Sequence, residues 1–494
     1  MRGSSFLLFG RMLSVLINFA TQVLTVRYLS KADFGAFSWA IAVISMGSTI
    51  ALLSQHKALA HFLPIYLEQD DQPAQRGTIL LAIGSTLGVG ISIVAATFAL
   101  HGLLNDSFIS DPLSIALLLI LVTLVPLQGF DSLLHSVFAV LASPRAIFMR
   151  RHILSPMLRL AAVLGIIAID GDVRGLAYGY LVAGLLGVTT YGLLLRKLLL
   201  SLHLIGPKSS PGVRVPSREM YRYGLPLLTT DLTWFLSTTV VILILESLWG
   251  TQGVAEYRAV VPLASLNLLI LENVRLLYVP IASRLLARND PASVDQLFAR
   301  TSAWIAVMTF PVFAMCAFLP DFITVALFGD RYKSAAPILA VLATGQYLSA
   351  VLGVNLLTLN AFARVRFIAK ANFVVAGVSL ILLFALVPAM GPLGAGIATA
   401  ATLVFNGLIN QVGLIRLTPV GRLRGSHLAV LVAITGISIG LVFLRLATDN
   451  VLLLAVSIAV VSIGLLRWSR DTLHIADTFP ELRKIPGMGL LLGK

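Results

Sequence analysis

Apolar runs recur fourteen times along this chain, each parted from the next by a polar loop. They lie at approximately 5–26, 34–54, 77–100, 113–141, 146–169, 174–197, 221–245, 257–281, 300–320, 335–359, 367–388, 392–415, 426–445 and 450–467. A hydrocarbon core about 30 Å thick takes roughly 20 residues of helix to cross. Spans of this kind must be helical or closed barrels, because lipid offers the backbone no hydrogen-bond partners. Runs this long predict helices, so the chain reads as an all-α polytopic membrane protein with about 14 transmembrane helices. Composition agrees. Hydrophobic residues make up 58% of the chain and charged residues 12%, with a mean hydropathy of +0.93. No soluble class has that balance.

Charge sets the expected orientation. With the N-terminus and every even-numbered loop on one face, that face holds 26 of the 36 Lys and Arg residues. Basic loops stay in the cytoplasm, which puts both termini there. The net charge of +14 then faces anionic lipid, and no nucleic-acid partner is needed to explain it.

Chemistry that is missing narrows the field. The single cysteine, Cys316, lies inside a span and reads as a packing residue. None of the eight histidines falls at a metal-ligand spacing, so neither metal nor cofactor is expected. The run Gly391-Pro392-Leu393-Gly394-Ala395-Gly396 lacks a phosphate-binding lysine and reads as close helix packing, as do Gly84/Gly88 and Gly436/Gly440. The first apolar run has no cleavage site after it and reads as a retained span.

The chain also repeats itself. At an offset of about 219, Leu141–Phe148 falls on Asn360–Phe367 and Gly175 on Gly394. Nearer 216, Phe62-Leu63-Pro64-Ile65 and Asp71-Gln72-Pro73-Ala74 resemble Tyr278-Val279-Pro280-Ile281 and Asn289-Asp290-Pro291-Ala292. Spans 1–6 and 7–12 therefore read as two copies of a six-helix lobe, related by a pseudo-twofold axis along the membrane normal. The expected division is an N-terminal lobe at 1–200, a cytoplasmic linker at 201–220 and a second lobe at 221–420. Appended helices 13 and 14 at 421–470 and a cytoplasmic tail at 471–494 complete it.

Two parallel lobes are an arrangement used for alternating access. At this point local motifs carry a resemblance. Arg27-Tyr28-Leu29-Ser30-Lys31-Ala32-Asp33-Phe34-Gly35-Ala36-Phe37-Ser38 and His61-Phe62-Leu63-Pro64-Ile65-Tyr66 resemble the polysaccharide transporter (Wzx-type oligosaccharide flippase) family. Its superfamily also holds multidrug extruders and lipid II flippases. The resemblance implies a transporter and not an enzyme. Its expected cargo is a polyprenyl-diphosphate-linked glycan carried to the outer leaflet for surface polysaccharide such as O-antigen or exopolysaccharide. Membrane lipids and polysaccharide polymerase or chain-length machinery are the implied partners. A lipid II flippase and a multidrug/cation antiporter stay open as alternatives.

Polar residues inside spans are the candidate site, because a charge facing lipid is costly. Arg11, Ser14, Asn18, Gln22 and Thr25 fall on one face of span 1. Either this stripe lines a cavity or Arg11 snorkels to headgroups. Lys57 closes span 2, and Glu272 and Arg275 lie in span 8. Arg11, Asn18, Gln22, Lys57 and Arg275 are the candidate contacts for a diphosphate-linked sugar. Glu272 and Arg275, three residues apart, read equally well as a self-neutralising pair. Asp131 and Arg159 lie 13 and 15 positions from Pro144, at nearly equal heights roughly 20 Å along neighbouring helices. They are expected to form an ion pair, with His135 one turn from Asp131. Asp231 has no evident basic neighbour in the sequence. Asp231, Asp131 and Glu272 are the candidates for ion coupling.

Overall fold

The computed structural model describes residues 2–100, 102, 111–141, 152–205, 212–421, 426–448 and 450–473. Every regular element among them is helical. Ten helical stretches there are long and apolar enough to cross a membrane, and the chain is a multi-pass membrane protein. One of the ten, Val365–Leu417, carries two of the apolar runs seen in the sequence, hinged at Gly391. The first, fifth and seventh runs lie on helices that do not meet that measure among the described residues.

The chain forms two compact units, Met1–Ala255 and Glu256–Lys494. The first contains α1 (Arg2–Tyr28), α2 (Lys31–Leu52), α3 (Gln55–Glu68), α4 (Gln72–Ala99), α5 (Pro112–Leu121) and α6 (Leu124–Leu141). It continues with α7 (Ser155–Ala168), α8 (Val173–Ser201), α9 (Ser217–Thr238) and the start of α10 (Val240–Ala264). Its core gathers Leu59, Leu63, Ile79, Leu133, Val137 and Met220 from α3, α4, α6 and α9. Phe138 and Tyr191 stack there with ring centroids 4.6 Å apart.

Aspartates start several of these helices. Asp71, Asp111 and Asp172 accept hydrogen bonds from free backbone N–H groups of the first turns of α4, α5 and α8. Proline follows within the first turn of α4 and α5, where no N–H is needed.

The second unit is built around α12 (Pro291–Phe318), most of which is buried. It packs against α14 (Ala336–Ala361), α11 (Leu268–Ala287), α16 (Ser426–Ala447) and α17 (Val451–Leu473), with α13 (Pro320–Phe328) beside it and α15 (Val365–Leu417) on α14. Cys316 is a buried packing residue of α12. Phe313 and Tyr347 stack at 4.3 Å, and the Tyr278 and Thr358 hydroxyls meet at 2.6 Å. Asp290 caps α12 as Asp71 caps α4, and the residue before each is left-handed: Asn289 at φ 54 and Asp70 at φ 52. Hydrogen bonds from Ser293 hold the Asp290 carboxyl below its usual pKa.

Glycine placement departs partly from expectation. Gly394 and Gly396 are closely packed, against the Leu386 carbonyl and Ile338. Gly84, Gly88, Gly436 and Gly440 are not: a Cβ at any of them would meet nothing within 4 Å. Their small-xxx-small spacing leaves an open face and joins no helices within the described chain. The linker stretch 206–211, the turn at 142–151 and the tail from 474 onward lie outside the described residues. So do residues 142–148 of the first repeat match.

Candidate functional site: a polar cavity and a charged seam in the first unit

A polar stripe on an apolar helix must find water or other polar groups, and the first unit supplies a cavity for it. Arg11, Ser14 and Asn18 of α1 line a space of about 580 Å³ together with His56, Asp131, His135, His152, Ser155 and Arg159. A second space of about 360 Å³ shares Asp131, Ser132, Ser155 and Arg159 with it and adds Gln128, Ser45 and Tyr180. The two adjoin through these shared walls. Two arginines and three histidines face one carboxylate across the larger cavity, so its electrostatic character favours anions.

The stripe divides along its length. Asn18 Nδ2 donates to the Ser14 carbonyl at 2.8 Å, which fixes its side chain at the cavity wall. Higher on α1, Thr25 donates to the Thr21 carbonyl at 2.7 Å and is buried. Gln22 is half-buried and lies outside the cavity lining.

Asp131 and Arg159 come to the same walls, but a direct ion pair between them is not among those formed by the described residues. Equal height along two helices brings them together without bringing them into contact.

The larger correction concerns Asp231. The sequence shows no cation near it, yet its carboxylate receives Lys57 Nζ at 2.6 Å and the Ser54 hydroxyl at 2.6 Å. The Lys57 ammonium also reaches the Leu227 carbonyl at 3.4 Å. Lys57 and Asp231 are 31% and 20% exposed, so this is a half-buried, charge-assisted contact. Partners 174 residues apart leave no periodic trace in a sequence.

Local backbone explains how Ser54 takes part. α2 ends at Leu52 and α3 starts at Gln55, and Leu53 and Ser54 between them are both left-handed at φ 44 and φ 53. Such conformations are uncommon for residues other than glycine and need support from their surroundings. The break presents Ser54, His56 and Lys57 from successive backbone positions. His56 faces the cavity and Lys57 faces α9.

From that point α3 and α9 stay in contact toward the basic end. His61 stacks on Tyr223 with centroids 4.4 Å apart and planes at 6°. Tyr66 Oη donates to Glu219 Oε2 at 2.8 Å. Beyond α9, Arg214 bonds Asp71 at 2.5 Å and lies over the Tyr66 ring at 5.4 Å. On α9 the contact residues are Glu219, Tyr223, Leu227 and Asp231, four apart and hence on one face.

Glu272 and Arg275 lie on α11 in the second unit, Glu272 half-buried and Arg275 exposed. An ion pair between these two is not among those of the described residues. Sequence reasoning passed over Ser54 and His152. A histidine or serine within an apolar run was the available signal.

The family described as "Polysaccharide biosynthesis protein" matches residues 1–286. No curated protein sequence matches the chain. Among solved structures, the lipid II flippase MurJ in an inward closed conformation is similar, with a TM-score of 0.73 and 15% identity. That match covers 96% of this chain and 99% of the other. An inward-facing multidrug resistance MATE family transporter of the MOP superfamily gives a TM-score of 0.60 at 14% identity, covering 84% and 97%. The same description in an outward-facing conformation gives 0.51 at 14% identity, covering 84% and 94%. At such identities the likeness is one of fold.

Proposed function

For a chain that belongs to the polysaccharide biosynthesis protein family, a family of membrane transporters and not of enzymes, we propose the following activity. It is a flippase that moves polyprenyl-diphosphate-linked oligosaccharide from the cytoplasmic to the outer leaflet by alternating access. The single observation that carries this reading is the cavity in the first unit, where Arg11, Arg159 and three histidines line a polar space within an otherwise apolar bundle.

A lipid-linked sugar poses a defined physical problem. Its diphosphate and glycan are hydrated, and dragging them through hydrocarbon unaided is prohibitive. A cationic, hydroxyl-lined space gives the head an alternative solvent while the prenyl chain stays in lipid. We assign Arg11 and Asn18 to the cavity wall that meets the head, with Gln22, Lys57 and Arg275 as further contacts along its path. The two lobes at 1–200 and 221–420 are the proposed moving bodies, with helices 13 and 14 at 421–470 appended.

Among the three ion-coupling candidates we favour Asp131 over Asp231. Asp231 already holds a lysine, whereas Asp131 faces both cavities. Glu272 is a second candidate in the other unit. We place both termini in the cytoplasm, from the asymmetry of the basic loops, and the chain in a bacterial plasma membrane, from the family resemblance.

The test is transfer of a fluorescent prenyl-diphosphate saccharide by purified protein in liposomes, with and without a proton or sodium gradient. Wild type is expected to move it. The combined Arg11→Gln, Lys57→Gln, Arg275→Gln variant is expected to lose transfer at unchanged protein level. Wild-type transfer by that variant rejects the cationic path, and preferential movement of lipid II or of a cationic dye rejects the cargo.

A further inference from the structure

The contact between α3 and α9 is unlike the rest of the bundle. Core packing in the first unit is aliphatic and aromatic. Along this seam the apolar packing of Met220 and Gly224 is joined by polar contacts and ring stacks: Ser54 and Lys57 on Asp231, His61 on Tyr223, Tyr66 on Glu219. His61, Tyr223 and Glu219 are also exposed. The polar part of the seam loses little on separation, because water takes up each of its groups as the helices part.

Its inner end is held under tension. Leu53 and Ser54 occupy left-handed backbone. Gln55 beside them is fully buried, yet both ends of its amide lack a hydrogen-bond partner among the described residues. A buried amide without partners is costly, and a rearrangement that hydrates or pairs it is favoured. What holds the break in place is the Asp231 carboxylate, which grips the Ser54 hydroxyl with one oxygen and the Lys57 ammonium with the other.

We propose that the α3–α9 seam is a reversible gate whose latch is an anion exchange, with the Asp231 carboxylate occupying Lys57 and Ser54 until a phosphate of the cargo replaces it. This rests on the flippase reading above and adds its regulation. Carboxylate and phosphate oxygens accept the same hydrogen bonds from an ammonium and a hydroxyl. A diphosphate carries more charge than one carboxylate and competes well for a half-buried cation. Once Asp231 is displaced, the Ser54 hydroxyl loses its partner while its carbonyl still accepts from the Lys57 and Ala58 N–H groups, so the break between α2 and α3 can pivot about the first turn of α3 as the seam opens. Binding of the head is thereby coupled to opening of a path, and an empty carrier stays shut.

The experiment uses full-length protein in nanodiscs and proteoliposomes. A Cys316→Ser background removes the only native thiol. His61→Cys and Tyr223→Cys, singly and together, are treated with a short crosslinker that joins two thiols. Joining the pair is expected to reduce transfer of the prenyl-diphosphate saccharide at least tenfold, while each single variant keeps its transfer after the same treatment. Prior addition of farnesyl diphosphate is expected to slow the crosslinking. In a separate arm, Asp231→Asn is expected to bind farnesyl diphosphate about five to ten times more tightly than wild type, the loss of one competing half-buried ion pair.

Crosslinked protein that transfers cargo at the uncrosslinked rate overturns the gate, and equal or weaker binding by folded Asp231→Asn overturns the exchange. Both outcomes leave the flippase reading standing, since wild type still binds and moves the cargo. Wild type that neither binds farnesyl diphosphate nor moves the saccharide removes that reading, and this proposal with it.

Discussion

Gly77→Ala tests whether the segment before α9 is anchored as the structure shows. Gly77 lies on α4, and a Cβ there would fall 1.9 Å from the Arg214 carbonyl oxygen, 2.5 Å from its carbon and 2.9 Å from Val215 Cα. A carbon and an oxygen approach comfortably to roughly 3.3 Å, so the segment must retreat by about 1.4 Å. That retreat breaks the Arg214 N–H bond to the Pro73 carbonyl, now 3.0 Å, and loosens the Arg214–Asp71 pair. Overpacking against backbone costs about 2 kcal/mol, the hydrogen bond about 1 kcal/mol and the exposed ion pair about 0.5 kcal/mol. Alanine returns about 1 kcal/mol of helix propensity at any helical glycine.

Gly84→Ala on the same helix is the matched control, because its Cβ would meet nothing within 4 Å. It gains the propensity without the clash. The difference between the two variants should be about 3.5 kcal/mol, or roughly 7–14 °C in Tm for a unit of this size. The assay is the fraction of purified protein remaining monodisperse after heating. Transfer of the lipid-linked saccharide should also fall in Gly77→Ala, because the displaced segment leads directly into the helix bearing Asp231. Equal melting of the two variants would show that the segment does not lie against α4.

Three further outcomes are expected. Lys57→Met alone should cost about 2 kcal/mol, since it strands a half-buried carboxylate, and adding Asp231→Asn should restore about half of that; the double-mutant cycle by thermal melting checks it. Gly391→Ala should destabilise by about 1–3 kcal/mol against a Gly464→Ala control. Gly391 sits at φ 58, ψ −134, a conformation alanine rarely adopts, whereas a Cβ at Gly464 would meet nothing within 4 Å. Arg445→Ala should cost about 1 kcal/mol, mostly from its hydrogen bond to the Ala317 carbonyl, because its pair with Asp321 spans 3.4 Å with both side chains well exposed and adds little.

Determinants that act locally were legible in the chain itself. Hydrophobic run length identified a membrane-spanning helical protein, because a bilayer constrains every crossing segment in the same way. The spacing of Arg11, Ser14 and Asn18 placed them on one face, and one cavity receives all three. Family membership was also readable from local motifs in the first third of the chain.

Only tertiary structure decided which faces meet. The helical period says that Gly84 and Gly88 share a face but not what covers it, and that face is open. Equal height put Asp131 and Arg159 on the same walls, while the gap between their side chains depends on how the helices splay. Lys57 and Asp231 read as separate candidates, a cation for cargo and an acid for an ion, until folding placed them 2.6 Å apart. Interaction energy falls with distance in space, not along the chain. A charge therefore takes its role from neighbours that the linear order does not show.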